Sequence, residues 1–150
     1  MPTIRAFFDT ATNTVTYLVW DAATREAVII DPVLDFDPAP ARLSTESADE
    51  VLAAAEAEGL KVLWALDTHA HADHLSAAPL IKGRTGAAIG IGARIRDVQT
   101  IFRPLFGIGG EIADMFLHIV RIDHHHSAAT IRCVERNIVQ HTLHDRLQTP

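Results

Sequence analysis

Asp67-Thr68-His69-Ala70-His71-Ala72-Asp73-His74 decides how this 150-residue chain is read. It follows the apolar run Val62-Leu63-Trp64-Ala65-Leu66, so it reads as a loop that a buried strand delivers to the edge of a sheet. Three histidines and two carboxylates fall within eight residues. On extended backbone His69 and His71 project to the same side, because side chains alternate with period two, and the chain must turn at Asp73 and His74. Imidazole and carboxylate donors at this density suit zinc, iron or manganese, and one loop can supply several of them. The stretch reads as a metal-site motif with His69, His71, Asp73 and His74 as candidate ligands.

Upstream, residues 4–8 and 15–20 read as two strands, and the turn formers Asp9-Thr10-Ala11-Thr12-Asn13-Thr14 between them predict a hairpin. Ala27-Val28-Ile29-Ile30 has the near-continuous apolar pattern of a strand buried on both faces. Asp31-Pro32 ends it, since proline cannot donate to the ladder. Asp31 has two readings: a carboxylate that orients a metal-binding histidine, or a turn cap. Residues 34–45 read as a loop. Ser47 and Glu50 match a capping box at N-cap and N3, opening a helix that runs through Glu58 and stops at Gly59. Strand, helix and strand then describe a βαβ crossover, which puts the loop at the C-terminal edge of the sheet, where ligand sites of such sheets lie. Downstream, residues 76–84 predict a short helix, 87–91 a strand, and 94–101 a further helix with Ile95, Val98 and Ile101 at helical spacing. Arg94, Arg96 and Arg103 read as solvated charges, with contact to a substrate anion as the alternative.

Composition narrows the function classes. The length fits one domain with a real core, and a 48% hydrophobic content fits a soluble globular protein. A net charge of −6 without a basic stripe argues against a general nucleic-acid binder. No apolar run approaches the ~20 residues that span a bilayer, and the N-terminus lacks the basic-then-apolar pattern of a secretory signal. The single Cys133 excludes an intrachain disulfide and fits a reducing cytosol. A cytoplasmic location is expected.

The His-x-His-x-Asp-His pattern resembles the signature of the metallo-β-lactamase fold superfamily. Residues 68–75 are most similar to its persulfide dioxygenase and glyoxalase II branches, and Asp31-Pro32-Val33 after a hydrophobic strand also resembles the persulfide dioxygenase branch. The resemblance covers residues 3–111. It implies an α+β fold, the αββα sandwich, with residues 1–111 as its N-terminal half. For the persulfide dioxygenase branch it implies one ferrous iron, glutathione persulfide as the small-molecule substrate, and His69 as the direct ligand from this motif. His71, Asp73 and His74 then stay near the iron without having to touch it. For the glyoxalase II branch it implies two zinc ions and hydrolysis of a glutathione thioester. There His69 and His71 serve one ion, Asp73 and His74 the other, and Asp73 counts as catalytic as well as ligating.

Residues 112–150 break the pattern. They hold six of the nine histidines, His118, His124, His125, His126, His141 and His144. The charge divides there too: residues 1–111 carry 9 basic and 15 acidic side chains, residues 112–150 carry 4 and 4. The motifs that the resemblance implies for a second half, beginning with a histidine in a Gly-His-Thr context, do not occur in this stretch. We read it as the divergent tail of a truncated or frame-altered chain with weak activity. The alternatives are a tail whose histidines replace the missing ligands, with His141 and His144 on one helical face, and a non-catalytic fragment. An uncovered sheet face and edge would invite pairing with a second copy, a homo-oligomer.

Overall fold

The computed structural model describes residues 1–92 and 94–105. The two alternating segments form the expected hairpin, β1 (Pro2–Asp9) and β2 (Thr14–Asp21), in register from Pro2 opposite Asp21 to Asp9 opposite Thr14. The apolar run becomes β3 (Glu26–Ile30), antiparallel to β2. It is followed by β4 (Val33–Asp37), β5 (Arg42–Ser44), α1 (Glu46–Ala57) and β6 (Lys61–Asp67). Next come β7 (Leu75–Ser76), α2 (Ala78–Thr85), β8 (Ala88–Ile91) and α3 (Ile95–Leu105). The main sheet has the order β1-β2-β3-β6-β8, with β3, β6 and β8 parallel. Two crossovers, through α1 and through α2, therefore bring the C-terminal ends of β3, β6 and β8 to one edge, as the strand–helix–strand pattern implied.

Both helices cover one face of this sheet. Leu18 and Trp20 of β2, Ala27 and Ile29 of β3 and Val62 and Ala65 of β6 meet Val51, Ala54 and Ala55 of α1 and Ala78 and Ile81 of α2 in a single buried cluster. Leu18, Ile29 and Ile81 are fully buried, and each contributes about 2 kcal/mol by leaving water. The opposite face carries Val19, Val28 and Ile30, also buried, so β3 is enclosed on both sides as its composition predicted. Gly59, at φ +63, ends α1, and Gly86, at φ +76, ends α2, both in the left-handed region where a β-carbon is penalised.

Two expectations are corrected. Residues 34–45 are not a plain loop: β4 and β5 pair as a hairpin, and β4 also pairs with β7 in a small second sheet ordered β5-β4-β7. These strands are two to five residues long, too short for a periodic signal, and exist because β4 finds β7 across the fold. Nor does Ser47 cap α1. The N-cap is Thr45, and the Ser47 N–H and hydroxyl both donate to the Asp35 carboxylate on β4, the N–H at 3.0 Å. A full negative charge at the helix N-terminus is a stronger acceptor than a serine hydroxyl and complements the helix dipole. The third helix, expected over 94–101, runs from Ile95 to Leu105. Among the described residues no helix is long and apolar enough to cross a membrane. The boundary at 111/112, Cys133, the six tail histidines and the side chain of Arg103 lie outside the described residues.

Candidate metal centre

The loop of residues 68–74 is clamped at both ends to one short piece of chain. Its entry, β6, pairs with β3, and its exit, β7, pairs with β4, so both ends meet the Asp31-Pro32 junction between those strands. The junction itself is locked. Asp31 sits at φ +50, a left-handed turn that a short polar residue tolerates better than most. Its N–H donates to the Leu66 carbonyl at 2.7 Å, its own carbonyl accepts from the Thr16 hydroxyl at 2.7 Å, and Ala77 N–H donates to the Pro32 carbonyl at 2.8 Å.

This turn aims the Asp31 carboxylate at the loop. Oδ1 accepts from the Thr68 N–H at 2.7 Å and from His71 Nε2 at 2.9 Å, while Oδ2 accepts from the Thr68 hydroxyl at 2.8 Å. Both readings of Asp31 therefore hold at once, a turn residue and a group that orients a histidine. The contacts also assign ring protons. A carboxylate only accepts, so His71 carries its proton on Nε2 and keeps Nδ1 as a donor atom. The Thr68 hydroxyl spends its proton on Asp31, so it accepts from His69 Nδ1 at 2.8 Å, leaving Nε2 as the unprotonated nitrogen of His69.

The three imidazoles stand side by side. Ring centroids are 4.3 Å apart for His69 and His71 and 4.1 Å for His71 and His74. One donor atom each from His71, Asp73 and His74 lies within 4.8 Å of the others, a spacing that could hold a metal ion. His69 neighbours this group through the His71 ring and is exposed, outside the three-donor set. Asp31, Asp67 and His71 form a second close set, accounted for by the 2.9 Å His71–Asp31 hydrogen bond with Asp67 Oδ1 a further neighbour at 3.9 Å.

Burial differs sharply across the loop. The side chain of His74 is 0% exposed, His71 6%, Asp67 11% and Asp31 14%, against 52% for Asp73. Burial pushes the Asp67 carboxyl above the usual carboxylate range, opposed by the Ser76 hydroxyl, which donates to it from 2.9 Å. Asp73 is held below that range, first by a hydrogen bond to its own backbone N–H, with the Thr14 hydroxyl and His74 adding to the effect. Its carboxylate faces His71 Nδ1 at 3.9 Å and His74 Nδ1 at 3.4 Å.

The test of fit to a metal is His74. Its Nε2 is buried and has no hydrogen-bond partner among the described residues. Leaving a buried polar nitrogen unpaired is costly, and nearly all such atoms in folded proteins are satisfied. A metal bound by imidazole and carboxylate would satisfy it, and the donor types suit zinc or iron. The residues present fit the group. Sequence reasoning assigned no role to Thr14, Asp35, Asp67 or Ser76. Asp67, a carboxyl closing an apolar strand, was the one with a local signal; Thr14 had none, lying 59 residues before Asp73.

The protein-family comparison matches residues 9–135 to the Metallo-beta-lactamase superfamily. The chain is 48% identical over 111 residues to a Burkholderia pseudomallei protein named "probable metallo-hydrolase", covering 74% of this chain and 38% of that one. It is 34% identical over 96 residues to the human mitochondrial persulfide dioxygenase ETHE1, covering 64% and 34%. Among solved structures it resembles ETHE1 from Myxococcus xanthus, with TM-score 0.52 and 36% identity over 61% of this chain and 36% of that chain. The chain thus spans 34–38% of the length of these relatives. Its helix-backed sheet with the loop at the strands' C-terminal edge is the N-terminal part of their α+β fold, a fold that implies metal binding. On the span of the family match and this shared architecture, the chain belongs to the metallo-β-lactamase superfamily.

Proposed function

We propose that this chain carries the N-terminal, metal-loop half of a persulfide dioxygenase-type site that takes one ferrous iron and acts on glutathione persulfide. In this reading residues 1–111 are the half domain and 112–150 a divergent tail. The metal assignment is carried by the buried, unpartnered Nε2 of His74. The choice of branch is supported by the likeness to ETHE1 from Myxococcus xanthus. When bound, ferrous iron supplies open coordination positions for oxygen and substrate. The chain's own part is orientation. Thr68 holds the His69 ring by Nδ1, which leaves Nε2 as the atom with which this exposed histidine would hold the iron. Asp31 holds the proton of His71, and Asp73 keeps a negative charge beside His71 and His74.

A second reading, a dinuclear zinc hydrolase of glutathione thioesters, is favoured by the gathering of ligand atoms from His71, Asp73 and His74 and by the similarity to the protein named metallo-hydrolase. There Asp73 is both ligand and catalytic residue. Metal analysis of the purified chain separates the two: one iron per chain against two zinc. A chain that takes up neither in stoichiometric amount sinks both.

Turnover gives the next test. The candidate donors in the described residues all come from one loop, so the reacting groups are held from one side. Loaded with ferrous iron, the 150-residue chain should oxidise glutathione persulfide at least ~100-fold more slowly than a relative of full length, because misplacement alone costs that much. A rate close to the relative's would overturn this. If His141→Ala or His144→Ala then abolished that rate, the tail would be a replacement ligand set.

A further inference from the structure

Thr14 opens β2, opposite Asp9 in the hairpin, and is buried. Its hydroxyl oxygen lies 3.1 Å from Asp73 Oδ2 and 3.3 Å from His74 Nδ1. We propose that Thr14 is a positioning residue that holds His74 as its Nδ1–H tautomer, leaving the buried Nε2 as the ring's metal-donor atom. This rests on the reading above in which His74 is a metal ligand, the one its buried, unpartnered Nε2 supports.

The assignment follows from counting protons. A hydroxyl has one proton to give and two lone pairs to accept with. The carboxylate of Asp73 can only accept, so the Thr14 proton goes there, and the hydroxyl oxygen is left to accept from His74. His74 Nδ1 must then carry hydrogen. Asp73 Oδ1, 3.4 Å from the same nitrogen, is a second acceptor for it. The opposite tautomer would set the Nδ1 lone pair against a hydroxyl oxygen and a carboxylate oxygen. It would also bury an Nε2–H that has no acceptor among the described residues. One side chain on a strand thus orders two loop groups, Asp73 directly and His74 through its tautomer. Thr68 stands in the same relation to Asp31 and His69, so the device occurs twice around this loop.

The experiment compares the parent chain with Thr14→Val, Thr14→Ser and His74→Ala. Two-bond 1H–15N correlation spectra of the metal-free proteins read the His74 tautomer, and competition with a chromophoric chelator reads zinc affinity. In the parent, His74 is expected as Nδ1–H. Thr14→Val should shift the ring toward Nε2–H or a mixture and weaken zinc about tenfold, the scale on which groups behind a ligand act. Thr14→Ser should restore both. A parent spectrum showing Nε2–H overturns the proposal, and so does a folded Thr14→Val protein with unchanged tautomer and affinity. Should Thr14→Val fail to fold, the parent spectrum and Thr14→Ser still decide, since loss of the Nδ1–H form in the serine variant also overturns it. If His74→Ala binds zinc as tightly as the parent, the metal reading falls, and the tautomer spectra alone judge Thr14.

Discussion

The two sides of the metal loop are held in different ways. On the inner side, Asp31, Asp67 and His71 are nearly buried and bound to one another and to the strands below them. On the outer side, His69 and Asp73 are exposed, and each is tied by a threonine hydroxyl. The inner side is ordered by the fold itself, since its groups have exchanged water for fixed partners. The outer side keeps its groups available. The difference teaches where rigidity has been placed: behind the donors, so that the exposed ones can meet a ligand without the loop having to reorganise.

The contrast can be broken most directly at Asp31. Asp31→Ala removes the acceptor of three donors and should cost about 3 kcal/mol in urea unfolding of the metal-free chain, with zinc affinity falling ~10–100-fold. Asp73→Ala, on the outer side, should cost the metal-free protein less than about 1 kcal/mol while still weakening zinc. Equal stability losses from the two variants would erase the distinction.

A smaller effect sharpens it at Asp67. Burial raises this carboxyl in the folded state, so as pH climbs above about 4 the unfolded chain ionises first. The native state then holds more protons than the unfolded one, and stability falls with rising pH until native Asp67 ionises as well. Asp67→Asn keeps an acceptor for the Ser76 hydroxyl and removes the titration. Its stability relative to the parent should therefore improve across that window, read as the variant's unfolding midpoint rising against the parent's as pH increases. A variant midpoint that falls against the parent's as pH rises would mean the buried carboxylate is favoured by its neighbours.

The smallest effect belongs to a pair away from the loop. Arg84 on α2 bonds the exposed Asp49 on α1 and is the first cause holding that carboxyl below its usual range. Whatever it contributes is present above the ordinary carboxylate range and is lost as pH falls through the lowered value. Arg84→Gln should shift the unfolding midpoint only slightly at low salt and not at all at high salt, because exposed pairs are screened. A shift as large as that of Asp31→Ala would show that exposure is a poor guide to energy in this protein.

Much of the scaffold was legible along the chain. The β1–β2 hairpin, the enclosed β3, the crossover through α1 and the strand feeding the loop all rest on apolar periodicity and on turn residues that act within a few positions. Gly59 and Gly86 mark helix ends for the same local reason, tolerance of positive φ. The cluster itself was legible too, because His69, His71, Asp73 and His74 lie close together in sequence as well as in space, with His71, Asp73 and His74 in one donor set.

What the chain by itself could not specify is which distant groups meet them. Ser47 matched a capping box, yet its bonds go to Asp35 on β4. Asp31 could be a cap or an orienting carboxylate until the parallel register of β3 against β6 set it beside Thr68 and His71. Thr14 looked like a turn residue until β2 brought it to His74, 60 residues away. The sequence alone determined the donor types and the segments long enough to carry a period, though not the short β4, β5 and β7, since backbone sterics and hydrophobic periodicity are local. Only the tertiary structure decided the proton on each histidine, because a hydrogen bond is directional and its partner is supplied by sheet register rather than by sequence spacing.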